Sequence, residues 1–205
     1  MPRNIVPVLH PVSVADLRPT QMTVGLREVA LKRKELRALP AGKKDDFLGV
    51  HFIPAVIGPK QRPFVVDHHH LARALHEEGI GKVLISVLAD LSRLSKDEFL
   101  VFLDNRAWMH PFDASGHRHG YEDLPKSVDR LVDDPFRSLA GAVRRAGGYA
   151  KDTTPFAEFL WADFFRRRVD AGQLADNFER AARKATALAR DKSASHLPGW
   201  SGPDD

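Results

Sequence analysis

Residues 26 to 39, LREVALKRKELRAL, carry apolar side chains at positions 26, 29, 30, 36 and 39 with charged residues between. That spacing predicts an amphipathic helix, stopped by Pro40. The period then changes. FLGVHFIPAVIGP predicts a strand around residues 50 to 57, closed by Gly58 and Pro59. Alternation within it groups His51 with Ile53, so His51 is expected in the core. PFVVD is a short β-branched run, HLARALHEEGIGK predicts a helix ending at Gly79, and KVLISVLADL predicts a strand over 82 to 90. The first 90 residues thus read helix, strand, strand, helix, strand: a small α/β unit.

Beyond residue 92 the pattern turns helical. SKDEFLVFLDNRAW opens with Ser95 and has Glu98 three residues on, the spacing of a capping box. HPFDASGHRHGYEDLP is a polar loop rich in Gly, Pro and His. In KSVDRLVDDPFRSLAGAVRRAGG a helix is expected from Asp134, with Pro135 at its first position and Gly147–Gly148 as its stop. TTPFAEFLWADFFRRRV predicts an apolar helix, LADNFERAARKATALARDK a basic one, and SASHLPGWSGPDD a frayed tail.

Composition narrows the chemistry. The 205 residues are 43% apolar and 28% charged, as in an ordinary folded domain, and contain no cysteine. Disulfide scaffolds, thiolate metal sites and thiol catalysis are therefore excluded. No apolar run approaches the roughly 18 residues of a membrane span. The proline-interrupted start lacks a continuous apolar signal region, so a cytoplasmic location is expected. The formal charge of +4 leans toward anionic partners.

The segment with the most unusual chemistry is RPFVVDHHHLARAL, residues 62 to 75. Asp67 stands where an N-cap is wanted, its carboxylate placed to accept from the first-turn amides. The N–H groups of residues 68 to 70 would then lie at the positive end of a helix that follows a strand, a natural anion site. His69 and His70 lie four and three residues before Arg73, so one of them can share its face. Histidine can donate to phosphate or move a proton near neutral pH. Consecutive helical residues point about 100° apart, which disfavours zinc held by the run alone. A site using one histidine with Asp67 or a distant ligand stays open.

The run LRPTQMTVGLREVALKRKEL, then FIPAVIGP, then FVVDHHHLARAL resembles the ParB/sulfiredoxin superfamily, and most closely its branch of ParB-like nucleases. The later text DLSRLSKDEF, DDPFRSLAGAVRRAGGY and PFAEFLWADFFR resembles the helical half of that branch. The resemblance implies a small mixed sheet with helices over residues 1–92, a helical cap packed on it over 93–192, and a tail over 193–205. It also implies a strand–Asp–Gly–His–Arg–helix box that holds nucleotide phosphates. Here His68 replaces the Gly, Leu71 replaces the Arg, and Arg73 lies two positions later. A Cβ in that turn stands against close backbone approach to phosphate.

On this reading Asp67, His69 and His70 are candidate catalytic residues, with Asp67 as base or Mg2+ ligand. His68, His69, His70, Arg73, Thr20, Gln21 and Arg137 are candidate contacts to a nucleotide or phosphorylated small molecule. Nucleic acid is the alternative partner, and a non-catalytic nucleotide-binding adaptor the third reading. Phosphoryl transfer or phosphoester hydrolysis is the expected reaction. Asp133 and Asp134 are read as helix caps. Glu158, set among bulky apolar residues, is read as the partner of an arginine.

Overall fold

The computed structural model describes residues 9 to 40 and 42 to 203. Its architecture is mixed α/β, with the second half mostly helical. The strands are β1 (Leu9–Ser13), β2 (Arg18–Pro19), β3 (Thr23–Val24), β4 (Ile53–Gly58), β5 (Arg62–Val65), β6 (Lys82–Asp90) and β7 (Val132–Asp133). The helices are α1 (Leu26–Ala38), α2 (Lys43–Val50), α3 (His69–Glu77), α4 (Lys96–Asn105), α5 (Pro135–Arg145), α6 (Ala157–Arg166), α7 (Ala171–Asp176) and α8 (Phe178–Arg190).

Five strands form one sheet in the order β1-β6-β4-β5-β2, with β4 parallel to β6 and β2 parallel to β5. Strand β4 is central and apolar on both faces. Ile53 and Ala55 join Val65, Ile85 and the inner faces of α1 and α3 in one core. Val56 packs on the other side with Phe99, Leu103 and Met109. A separate pair, β3 with β7, runs parallel and ties the start of α1 to the start of α5. A further core lies among α5, α6 and α8, where Trp161 is fully buried and stacked on Tyr149 at 4.2 Å.

Local signals account for most of this. Helix α1 and strand β6 occupy the spans their periodicity predicts. Ser95 and Glu98 form the reciprocal capping box, and Asp134 caps α5 ahead of Pro135 by accepting from the N–H of Phe136. Several expectations need correction. The strand expected at 50 begins at Ile53, because residues 43 to 50 form α2 instead. His51 then ends that helix as an exposed residue stacked on Phe47, not a core histidine. The basic helix is broken at Asn177 into α7 and α8, with Asn177 capping the second. The tail is held rather than frayed as far as it is described. Trp161 Nε1 donates to Pro198 O at 2.8 Å, and Trp200 packs on the helical core.

Candidate functional site

The box begins where β5 ends. Asp67 does not cap α3. Its Oδ1 accepts from the adjacent His68 N–H at 2.7 Å, and the capping position falls one residue later. His68 occupies it with φ 64° and ψ 30°, the left-handed conformation that the family's glycine adopts freely. No side chain caps this helix, and its first intrahelical bond is Ala72 N–H to His68 O. The N–H groups of His69, His70 and Leu71 therefore have no acceptor within the helix. Asp67 and His68 form the exposed mouth of the box; His68 Nδ1 lies 3.2 Å from Phe52 O.

The other two histidines turn inward. His69, 4% exposed, accepts from Thr20 N–H at 3.1 Å through Nε2. His70 accepts from Gly25 N–H at 3.0 Å, also through Nε2. Each ring must carry its proton on Nδ1 to do so. Protonating Nε2 would set two donors face to face. Burial, reinforced by the positive charge of Arg137, pushes His69 down to about 3 and His70 well below its ordinary value. Both are neutral pins that fasten residues 20 to 25 onto α3. Their Nε2 atoms are thus spent on backbone amides and do not face the mouth, where the sequence reading has them donate to a phosphate or move a proton.

Arg73 also departs from expectation. Its guanidinium pairs with Glu77 at 2.6 Å and donates to the carbonyls of Asp129 and Leu131. It clamps the loop before β7 and does not supply the box with a cation. Thr20 is buried, with Oγ1 donating to Val65 O at 2.7 Å. Gln21 is buried too, and its backbone bridges to His110.

The charge near the box comes from Arg137, in the first turn of α5. Its side chain is 4% exposed, yet Nε and Nη1 find no hydrogen-bond partner among the described residues. Its Cζ lies 3.5 Å from the centre of the Phe159 ring, which offsets part of the cost of burying a cation. His110 packs against the same ring at 3.8 Å and is pushed down to about 3, by burial first and then by Arg137. A closed circuit of contacts results. His69 bonds Thr20, whose carbonyl accepts from His110 N–H; His110 and Arg137 share Phe159. Ser138, beside Arg137, lies against Gly25, which bonds His70. A Cβ on Gly25 would meet Ser138 Oγ at 2.6 Å, so only glycine lets these segments meet.

Asp134 is buried and paired with Arg166 at 2.5 Å, while Asp133 accepts from Leu26 N–H at 2.8 Å and so caps α1 from across the fold. Glu158 pairs with Arg144 at 3.2 Å. Both acids and Glu158 thus have the structural partners their surroundings ask for. A groove of 630 Å³ lies elsewhere, between α1, α5 and α8, and no box residue lines it. The box is a packed junction reached from outside at Asp67 and His68.

The sequence reading singled out Arg137 but not His110 or Phe159. No local signal could have found them, since His110 lies forty residues from the box and meets it only through the Thr20 backbone.

The family model described as "Putative ParB-like nuclease" matches residues 10–167. The chain belongs to that family, within the ParB-like superfamily. The crystal structure of protein Atu1540 from Agrobacterium tumefaciens is 52% identical in sequence, with a TM-score of 0.91. The match covers 98% of this chain and 100% of that one. The search of curated proteins finds no match. Among the described residues no helix is long and apolar enough to cross a membrane.

Proposed function

We propose that this ParB-like protein binds a phosphate-bearing ligand, a nucleotide in the first instance, at the start of α3. The observation that carries this reading is Arg137. A buried guanidinium with two unpartnered nitrogens is costly to maintain. It stands near enough to Asp67, His69 and His70 to interact with them electrostatically, behind three helix-start N–H groups lacking intrahelical acceptors. An anion at the mouth would answer both the cation and the amides. Asp67, exposed at the same mouth, fits the role of one carboxylate ligand to a Mg2+ that is otherwise held by ligand phosphates. Phosphoryl transfer or phosphoester hydrolysis is the reaction such a pairing serves, with the positive field acting on developing charge.

The family description favours a second reading, in which the phosphate belongs to nucleic acid. The two separate by salt dependence, since contacts to several backbone phosphates weaken steeply with added salt. The test is ³¹P NMR of ATP and of CTP, each with Mg2+, incubated with the protein and with Arg137→Met and Asp67→Asn. We expect line broadening that weakens at least tenfold in Arg137→Met, and turnover that disappears in Asp67→Asn. Broadening without turnover assigns the protein to binding alone. Unbroadened signals with folded protein would remove the nucleotide reading.

A further inference from the structure

Helices α1 and α8 both pack on α5, and between them lies the groove of 630 Å³ that no box residue lines. Arg27, Ala30, Leu31 and Lys34 recur at i, i+3, i+4 and i+7, so one face of α1 forms the first wall. Phe178, Ala182 and Thr186, each four residues apart on α8, form the second. Ala142 and Ala146, at the end of α5, form the floor. Leu31 is 41% exposed, and the ring of Phe178 is only half-buried, with the guanidinium of Arg27 reaching over it at 4.1 Å. Scattered apolar side chains are ordinary on a protein surface, but here two share one concavity.

The shape suits a helix. Alanines on the floor and walls let another helix approach to the roughly 8–10 Å at which helices pack. Helices α1 and α8 have 13 residues each, about 20 Å of length, so the trough takes an occupant of three to four turns. The charges say which helix. Arg145 and Glu28 pair with each other and cancel. Of the other charged residues lining the groove, Arg27, Lys34 and Arg183 are cations and Glu179 alone is acidic. Among the described residues these three cations have no carboxylate partner. Nucleic acid phosphates would meet the cations but gain nothing from Leu31 and Phe178. A second copy presenting the same groove would set cation against cation.

We propose that this groove docks an acidic amphipathic helix of a partner protein. Its apolar face lies against Leu31, Phe178 and the alanines, and its carboxylates meet Arg27, Lys34 and Arg183. Burial of the apolar face supplies most of the affinity. The exposed rim pairs add little strength but select the partner and set its orientation. The groove shares α1 and α5 with the box and none of its residues, so the proposal stands apart from the phosphate reading.

The test uses the whole protein and a fluorescein-labelled helical peptide of about 14 residues, with leucines at i, i+3, i+4 and i+7 and glutamates on its other faces. Two control peptides carry lysine in place of glutamate, or the same residues in permuted order. We expect fluorescence anisotropy to show the acidic peptide binding at least tenfold more tightly than either control. Lys34→Glu combined with Arg183→Glu should weaken it at least tenfold, and so should Leu31→Ser. Arg62→Glu combined with Lys96→Glu, an equal change of net charge elsewhere, should leave it unchanged. All five positions are exposed, so the variants should keep the dichroism of the wild type. No binding, equal binding of the three peptides, or binding unaltered by the groove variants would overturn the proposal. So would duplex DNA that binds more tightly than the peptide and is lost in the same charge reversal, or a dimer in light scattering that Leu31→Ser dissolves.

Discussion

The chain sets two groups of histidines in opposite surroundings, and the contrast explains more than the number of imidazoles does. His69 is buried and His70 and His110 are half-buried beside a cation, and the structure holds them neutral. His119 lies on the surface between two carboxylates. The hydrogen bond that its ring donates to Asp113 first, then the charges of Asp113 and Asp123, raise it above its ordinary value. In the first group His69 and His70 work as acceptors that fix the backbone and His110 as a ring packed among phenylalanines; His119 holds a loop through its carboxylates. A histidine-rich segment therefore says little until the charge and exposure around each ring are known.

The largest expected effect is on acid stability, where the two groups have opposite signs. A histidine whose folded value is depressed favours the native state above about 6.5, and that advantage is lost as pH falls toward the folded value. Each of these three rings should cost on the order of 1 kcal/mol per pH unit below about 6. His119, raised, contributes fully below 6.5 and loses its contribution as pH rises through its folded value. Urea midpoints at pH 7, 6 and 5 should fall steeply with acid. A flat profile would mean that the buried rings are charged.

Next in size is His69→Ala. It removes the acceptor of the buried Thr20 N–H and opens a small void, an expected loss of about 2–4 kcal/mol in denaturant unfolding at pH 7. The same change at pH 5 should cost less, because the wild type has already lost part of that stability. Arg137→Met is expected to behave in the reverse direction. Replacing an unpaired buried cation by an apolar side chain should leave stability unchanged or raise it by roughly 1–3 kcal/mol, while the pKa of His110 rises in NMR titration. A large loss of stability would show that Arg137 has partners in the folded protein that account for its burial. The smallest effect is at His68. His68→Gly relieves a left-handed backbone at a β-carbon and should stabilise by about 1 kcal/mol, read from the same urea midpoints.

How far the sequence could be read follows the same division between local and distant causes. Helix α5 was legible because Asp134, Pro135 and Gly147 are its own neighbours, and the capping box of α4 needs only Ser95 and Glu98. The Glu158 ion pair was legible in kind, since a carboxylate among aromatic residues must find a cation, although Arg144 could not be named as its partner. The box was legible as a box. Its working parts were not, because they are set by partners 45 and 49 residues away: Gly25 for His70 and Thr20 for His69. Asp67 reads as a cap until the chain is seen to turn through His68 in a left-handed position, uncommon for any residue with a β-carbon. Helix α2 received no reading of its own, and only its last residue, Val50, was taken into the strand expected at 50 to 57. The tail was misread because Pro198, Gly199 and Trp200 gain much of their anchorage from Trp161, Ala150 and Tyr149, far back in the chain.

The chain's three tryptophans are unevenly shared among the cores. Trp161 and Trp200 belong to the core of α5, α6 and α8, Trp108 packs with α4 against the outer face of the sheet, and the core beneath α1 and α3 has none. Intrinsic fluorescence will therefore follow the helical half chiefly, with Tyr149 stacked on Trp161 close enough to pass its excitation on. Far-ultraviolet dichroism weighs all helices, α1 and α3 included. Where the two signals melt together, the β3–β7 pair binds the halves into one cooperative unit. Where fluorescence moves first, the helical half loosens by itself and carries Arg137 of α5 away from the box.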